Sequence, residues 1–299
     1  MPVETIIGQQ SEEEILTDSG FYWRDDGRIK VLVCKPLESA GFVNGFSTRL
    51  GGVSDFPKDA LNLAGFDEDS SENIHENRRR FLSAFDAEFD LATAWQMHGA
   101  EVKVVRSDQN VANSEERFDA LVSARVNTLV GVKTADCVPI LIGDPKTKSF
   151  AAVHSGWKGT AASIVTKTVD KLRSEYGADP ANMIAAIGPC ASGENYEVGP
   201  NVIEAFDATF SVPEKYFTST RPGHALVDLK LANKDLLVSA GVPAGSIFIA
   251  PFCTIGRVDL FFSYRVEKQA HGKTGRLLSV IGCGDPCNPT HDEVVTSKV

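Results

Sequence analysis

Residues 137–156 read CVPILIGD, PKTK and SFAAVHSG, two strand-length apolar runs around a short Asp-Pro-Lys turn, and no other segment restricts the fold as strongly. The pair predicts a β-hairpin inside a sheet-based core. If Ile142 lies opposite Ser149, the register sets Cys137 opposite His154. Directly opposed residues project to one side of an antiparallel pair with Cβ atoms about 4.5–5.5 Å apart, near enough to share one metal ion or one proton. A one-residue slip would destroy that pairing, and Pro139 calls for an edge position or a bulge. Strand geometry alone fits a buried Cys near an unrelated His equally well.

Other strand-like runs, rich in β-branched and aromatic residues, are IKVLVCKPL, VNGFSTR, LATAWQMHG, AEVKVVR, TLVGVKTAD, MIAAIGP, SIFIAPF, LFFSYR and RLLSVIG. Helical spacing appears in NIHENRRRFLSAF, TAASIVTKTVDKLRSEY, VGPNVIEAF and LKLANKDLLVSAG, with Ile164, Thr168, Leu172 and Tyr176 on one face of the second. Strands often follow one another without an intervening helix, which predicts an α+β class with mixed or antiparallel sheets. The expected organisation is a polar, loosely attached extension over residues 1–28, one continuous domain over 29–284 and a frayed tail over 285–299.

Charge narrows the partners. The chain carries 30 Lys plus Arg against 40 Asp plus Glu, a formal charge of −10, and its one basic cluster, Arg78-Arg79-Arg80, sits among acidic neighbours. Nucleic-acid binding draws on dense Lys and Arg, so no nucleic-acid partner is expected. No apolar run reaches the roughly 18 residues of a membrane span, and the N-terminus has neither the basic start nor the apolar core of a secretory signal. A cytoplasmic protein without a membrane partner is expected. Cys34, Cys137, Cys190, Cys253, Cys283 and Cys287 fall at irregular spacings with no CxxC pair, poor material for a disulfide framework or a finger-type zinc site.

His98, in AWQMHGAEV, lies where a strand turns through Gly99 into the next. With Cys137 and His154 it would supply three corners of a zinc tetrahedron and leave one open, the arrangement of a catalytic site. After His154 comes Ser155-Gly156-Trp157-Lys158-Gly159-Thr160 and a helix, a setting in which backbone N–H groups and Lys158 would receive an anion. Arg49, beside the Gly51-Gly52 turn of FSTRLGGVS, is a second anion candidate. Plain alternatives are an exposed Lys at a helix start and an exposed Arg at a hairpin turn.

FSTRLGGVS, ALNLA, ENRRRFL, WQMHGAEV, DALVS, TADCVPILI, AAVHSGWKGTAASIV, AIGPC, YEVGP, FFSYR and GRLLSVIG occur in this order across about residues 40–282. In them the chain resembles the YfiH-like proteins, also called laccase-domain or polyphenol-oxidase-type proteins. The resemblance implies a layered α+β fold with mixed sheets and flanking helices, shared distantly with cysteine-dependent deamidating toxins. It also implies phosphorolysis of adenosine, inosine, guanosine and methylthioadenosine and deamination of adenosine, with purine nucleosides and inorganic phosphate as partners. The family motifs put His98, Cys137 and His154 forward as zinc ligands. Asp136 is then a candidate proton carrier beside Cys137, and Arg49, Lys158, Ser54 and Asn62 are the substrate or phosphate contacts. Lys158 stands where the family usually has Arg, and the stretch Cys190–Tyr196 is longer than the usual connection.

Three other readings compete. A multi-copper oxidase, suggested by the family's older name, needs many imidazoles, and six His without an HxH pair supply few; a single copper at the zinc site would still oxidise phenols weakly. A cysteine hydrolase would use Cys137 as nucleophile and His154 as base. A zinc-stabilised module would bind nucleosides without turnover. HGKT at 271–274 lacks the upstream Gly of a phosphate loop, and the HxE with PCxxC signature of zinc deaminases is absent.

Overall fold

The computed structural model describes residues 10–65, 69–85, 87–109 and 115–284. Two six-stranded sheets face each other. The first has the order Phe21–Asp25, Lys30–Cys34, Val43–Ser47, Leu277–Cys283, Thr128–Thr134, Asp90–Ala92; the second runs Ile247–Ile249, Ile184–Ile187, Val138–Asp144, Ser149–Ser155, Ala120–Ser123, Val102–Val104. Most pairs are antiparallel, but each sheet ends in a short parallel strand, Asp90–Ala92 and Val102–Val104, and Ile247–Ile249 also pairs in parallel. The class is therefore α+β with mixed sheets, as the strand-rich pattern predicts.

Burial explains the uninterrupted apolar runs. In the hairpin, Leu141, Phe150 and Ala152 join the core between the sheets, with Phe46, Val130, Val132 and Ile281 from the first sheet. Their sequence neighbours Ile140, Ile142, Ala151 and Val153 point the other way, under Ile164–Tyr176 and Leu229–Ser239. Strand side chains alternate in direction, so a strand covered on both faces loses the apolar–polar alternation of a half-exposed one. On the far side of the first sheet, Val31, Val33, Leu129 and Val280 pack against Phe81 and Phe85, at and just beyond the helix Ser71–Leu82. The result is four layers, helix, sheet, sheet, helices. No described helix is long and apolar enough to cross a membrane.

Several local expectations change. The hairpin pairs Asp144 with Ser149 and Pro139 with His154, two residues away from the register predicted. Asp144 tightens the turn by accepting the Lys146 N–H at 2.8 Å, and Lys148 takes the left-handed conformation, so the loop shortens to 145–148. Pro139 sits in a central strand without a bulge; it fits because Ile184–Ile187 has ended there, and its carbonyl accepts the Gly188 N–H at 2.9 Å. LFFSYR is no strand: Phe261 and Phe262 plug the core, and Ser263 caps the helix Tyr264–His271 by accepting from Val266. The helix expected over 160–176 breaks at Ser163, which is left-handed, into Trp157–Ala161 and Ile164–Tyr176.

Residues 10–28 are built into the sheet. Ser11 forms a capping box with Glu14 at the start of Glu12–Ser19, and the strand Phe21–Asp25 pairs with Lys30–Cys34. Leu16 and Phe21 are each 2% exposed, and Phe21 lies 6.2 Å from Phe46 between ring centroids. Trp23 adds to this by packing on Phe252, 5.2 Å between ring centroids. Residues 1–9 and the tail 285–299 lie outside the described residues. Phe21→Ala should therefore lower unfolding free energy by about 3–5 kcal/mol in a denaturant titration; a change below about 0.5 kcal/mol would show the segment to be detached.

Candidate metal centre

The chain crosses between the two sheets at one end of the sandwich, and these crossings carry the site. Residues 93–101 pass from Asp90–Ala92 in the first sheet to Val102–Val104 in the second, and 135–137 pass from Thr128–Thr134 to Val138–Asp144. His98 lies in the first crossing and Cys137 in the second, while His154 is the last residue but one of the neighbouring strand Ser149–Ser155. The two-residue register change preserves the face of the sheet, so Cys137 still projects toward His154, now on the diagonal. Gly156, which continues the strand opposite Cys137, leaves the space: a Cβ there would stand 3.0 Å from Cys137 Sγ and 3.3 Å from the His98 ring.

The ligand atoms of His98, Cys137 and His154 lie within 4.8 Å of one another. Bonds of about 2.0–2.1 Å to nitrogen and 2.3 Å to sulfur let one ion close that span with small side-chain rotations. Thiolate and imidazole suit zinc and copper(I) better than magnesium or calcium. The residues present fit a bound metal, and no second such group of three occurs among the described residues.

Asp119, not anticipated from the sequence, organises two of the three ligands. It extends the register in which Val153 faces Ala120, so it stands across from His154, and its Oδ1 lies 2.8 Å from His154 Nδ1. That contact leaves Nε2 for the metal. The same carboxylate accepts backbone N–H groups from Met97 at 3.2 Å, His98 at 2.9 Å and Gly99 at 2.7 Å, closing the turn in which His98 adopts φ 58°. Burial pushes the Asp119 carboxyl up, but the hydrogen bonds from His154 and Gly99 outweigh it and hold it below its ordinary value. Burial also works against charge on Cys137 and His154. Their mutual attraction wins: the thiol is held down to about 6, with help from His98, and the imidazole is raised to about 9, with help from Asp119.

A cavity of about 590 Å³ opens at the cluster. Trp95, Trp157, Tyr196 and Tyr264 provide aromatic walls, and Lys133, Arg265 and Arg276 bring positive charge to an acidic chain. Arg265 lies over Tyr196 at 4.9 Å and donates to the Glu197 carbonyl at 2.9 Å. Sequence reading missed these residues because the strand ends, helix starts and loops bearing them are far apart in the chain and share no period.

The anion candidates are placed elsewhere. Arg49 pairs with Glu267 at 2.9 Å, donates to the Val258 carbonyl at 2.8 Å and covers Phe262; it does not line the cavity. Ser54 and Asn62 are buried around Asn77, and the Asn62 amide oxygen accepts the N–H of Arg276 at 2.8 Å. Lys158 is exposed beside Trp157. Asp136 does line the cavity, but Thr254 donates to one oxygen at 2.6 Å, and the Ser263 hydroxyl and Arg265 N–H donate to the other at 3.0 and 2.7 Å. Burial still leaves its carboxyl raised.

A layered sandwich with a His–Cys–His cluster facing an aromatic cavity defines a class with close structural counterparts. The profile of the family described as multi-copper polyphenol oxidoreductase laccase matches residues 43–284. The chain belongs to this laccase-like family, to which the YfiH proteins belong. The Bacillus licheniformis hypothetical protein YfiH superimposes with a TM-score of 0.81 at 30% identity, covering 87% of this chain and 98% of its own. YlmD from Geobacillus stearothermophilus gives 0.80 at 30% identity, covering 88% and 99%. A relative in Deinococcus radiodurans named purine nucleoside phosphorylase is 39% identical over 238 residues, 79% of this chain and 87% of the relative. Another of that name, in Bacteroides thetaiotaomicron, is 31% identical over 261 residues, 84% and 96%.

Asp119→Asn keeps the side-chain volume but removes the charge that holds His154 and the His98 turn. Zinc affinity, measured by competition with a chromogenic chelator, should fall by about 10–100-fold. An unchanged affinity would show that Asp119 does not support the ligands.

Proposed function

We propose that the chain is a zinc-dependent purine nucleoside phosphorylase that also deaminates adenosine. The observation carrying this reading is the opening of a three-ligand cluster into an aromatic, positively charged cavity; the names of the relatives support it. Zinc there would supply Lewis-acid polarisation of a substrate or water oxygen at its open position.

The chain's own residues do the rest. Trp95, Trp157, Tyr196 and Tyr264 offer flat apolar faces for a purine. Arg265, Arg276 and Lys133 take over the phosphate role expected of Arg49 and Lys158, since they line the cavity and those two do not. The Tyr196 face and the Glu197 carbonyl hold the Arg265 guanidinium in place before phosphate arrives, which spares ordering entropy on binding. In phosphorolysis, a phosphate oxygen bonds to the anomeric carbon as the bond to the base breaks. Asp136, with both oxygens receiving donors, acts as an anchor for Thr254, Ser263 and Arg265 rather than as the proton carrier.

A cysteine hydrolase remains the second reading because Cys137, His154 and Asp119 also form a nucleophile–base–orienter row. The deciding experiment incubates metal-analysed protein with adenosine, with and without phosphate. We expect stoichiometric zinc, phosphate-dependent adenine, phosphate-independent inosine, and loss of both after chelation. His98→Ala should reduce both rates beyond the roughly 10–100-fold typical of losing an outer metal partner. Unchanged adenosine at full zinc occupancy would overturn the enzyme reading for that nucleoside. Chelator-resistant turnover that survives His98→Ala would favour the thiol nucleophile.

A further inference from the structure

Two thiols outside the metal cluster stand side by side. Cys190 and Cys253 form an isolated parallel bridge between the segments that follow Ile184–Ile187 and Ile247–Ile249. Neighbouring strands lie about 4.8 Å apart, inside the 4.4–6.8 Å Cα separation a disulfide spans. The two sulfurs have different surroundings. Cys190 is fully buried, and burial pushes its thiol up to about 12. Cys253 is half-buried, and its Sγ accepts the Ser192 N–H at 3.3 Å and the Asn195 amide at 3.6 Å. Burial raises the Cys253 thiol, but donors from Ser192, Gly256 and Ile255 outweigh it and favour the thiolate.

We propose that Cys253 is a modification site for hydroperoxides, with Cys190 as its resolving thiol. In the first step the Cys253 thiolate attacks one peroxide oxygen: an S–O bond forms, the O–O bond breaks, and the leaving hydroxide takes a proton to become water. Sulfur loses two electrons and peroxide gains them, leaving a sulfenic acid. In the second step Cys190 sulfur attacks Cys253 sulfur; its proton and the sulfenic hydroxyl leave as water, and the disulfide remains. The pair also borders the Asp136 anchor, since Ala191 N–H donates to the Asp136 carbonyl at 3.0 Å and the Thr254 hydroxyl to its carboxylate at 2.6 Å. A bond between the two segments would therefore form beside the residue that precedes Cys137.

The test treats the full-length, zinc-loaded chain with graded hydrogen peroxide, alkylates the remaining thiols and maps the peptides by mass spectrometry. A Cys190–Cys253 linked peptide, two hydrogens lighter than its parts and reversed by dithiothreitol, should appear at doses that leave Cys34, Cys137 and Cys283 alkylatable. In Cys190→Ala, the same doses should let a sulfenic-acid-selective dione label Cys253. Should that variant fail to fold, the map of the native chain decides by itself. Cys253 remaining alkylatable while another cysteine oxidises, or Cys253 passing to higher acids without linkage to Cys190, would overturn the proposal. Turnover is not the readout, so this outcome is independent of the nucleoside reading.

Discussion

One buried carboxylate holds the site together. Asp119 sits at the sheet end where Ala120–Ser123 begins, and it satisfies three backbone N–H groups of the 97–99 turn together with the His154 ring. A charge taken out of water is tolerated only when hydrogen bonds replace the lost hydration, and here four donors do so. The arrangement has a geometric consequence. One side chain fixes the backbone that presents His98 and the tautomer of His154, so two ligands from distant sequence positions are oriented by a single group. Gly99 permits the approach: a Cβ there would lie 3.3 Å from Asp119 Oδ2.

Much of this was readable from the chain because strand pairing obeys simple rules. Long apolar runs disclosed the strands, and their order disclosed an α+β class with mixed or antiparallel sheets. Cys137 and His154 were brought together by a register that was two residues out, and the error did no harm to their common face because side chains alternate with a period of two. Asp119 could have been found by the same method. Had DALVS been set beside SFAAVHSG as a third strand, the pairing of Val153 with Ala120 would have placed Asp119 across from His154.

What stayed hidden lies where segments distant in the chain meet. Arg49 and Lys158 looked like anion ligands because a cation near glycines or a helix start often is one, but sequence does not reveal that Glu267, more than two hundred residues away, neutralises Arg49. Tyr264 and Arg265 were concealed in a segment that resembled a strand; only the Ser263 cap marks it as a helix start. The acidic character of residues 1–28 suggests a loosely attached extension, yet within its described part Leu16 and Phe21 are buried in the core and Trp23 packs against it.

The division of labour between core and crossings also explains how the cavity can exist. Phe46, Leu141, Phe150 and Ile281 are buried together between the sheets, where apolar side chains pack closely. At the sheet ends the chain leaves the ladder, and backbone groups must find other partners. Side chains of Asp119 and Asp136 accept those orphan N–H groups, from Met97, His98 and Gly99 in one case and from Arg265 in the other. The two carboxylates thereby convert irregular crossings into rigid supports, on which thiolate and imidazoles can be held close before any ion joins them. The aromatic and cationic side chains that line the cavity come mostly from helix starts and loops around this rigid end, so they can vary the cavity's chemistry with little disturbance to the packed sandwich beneath.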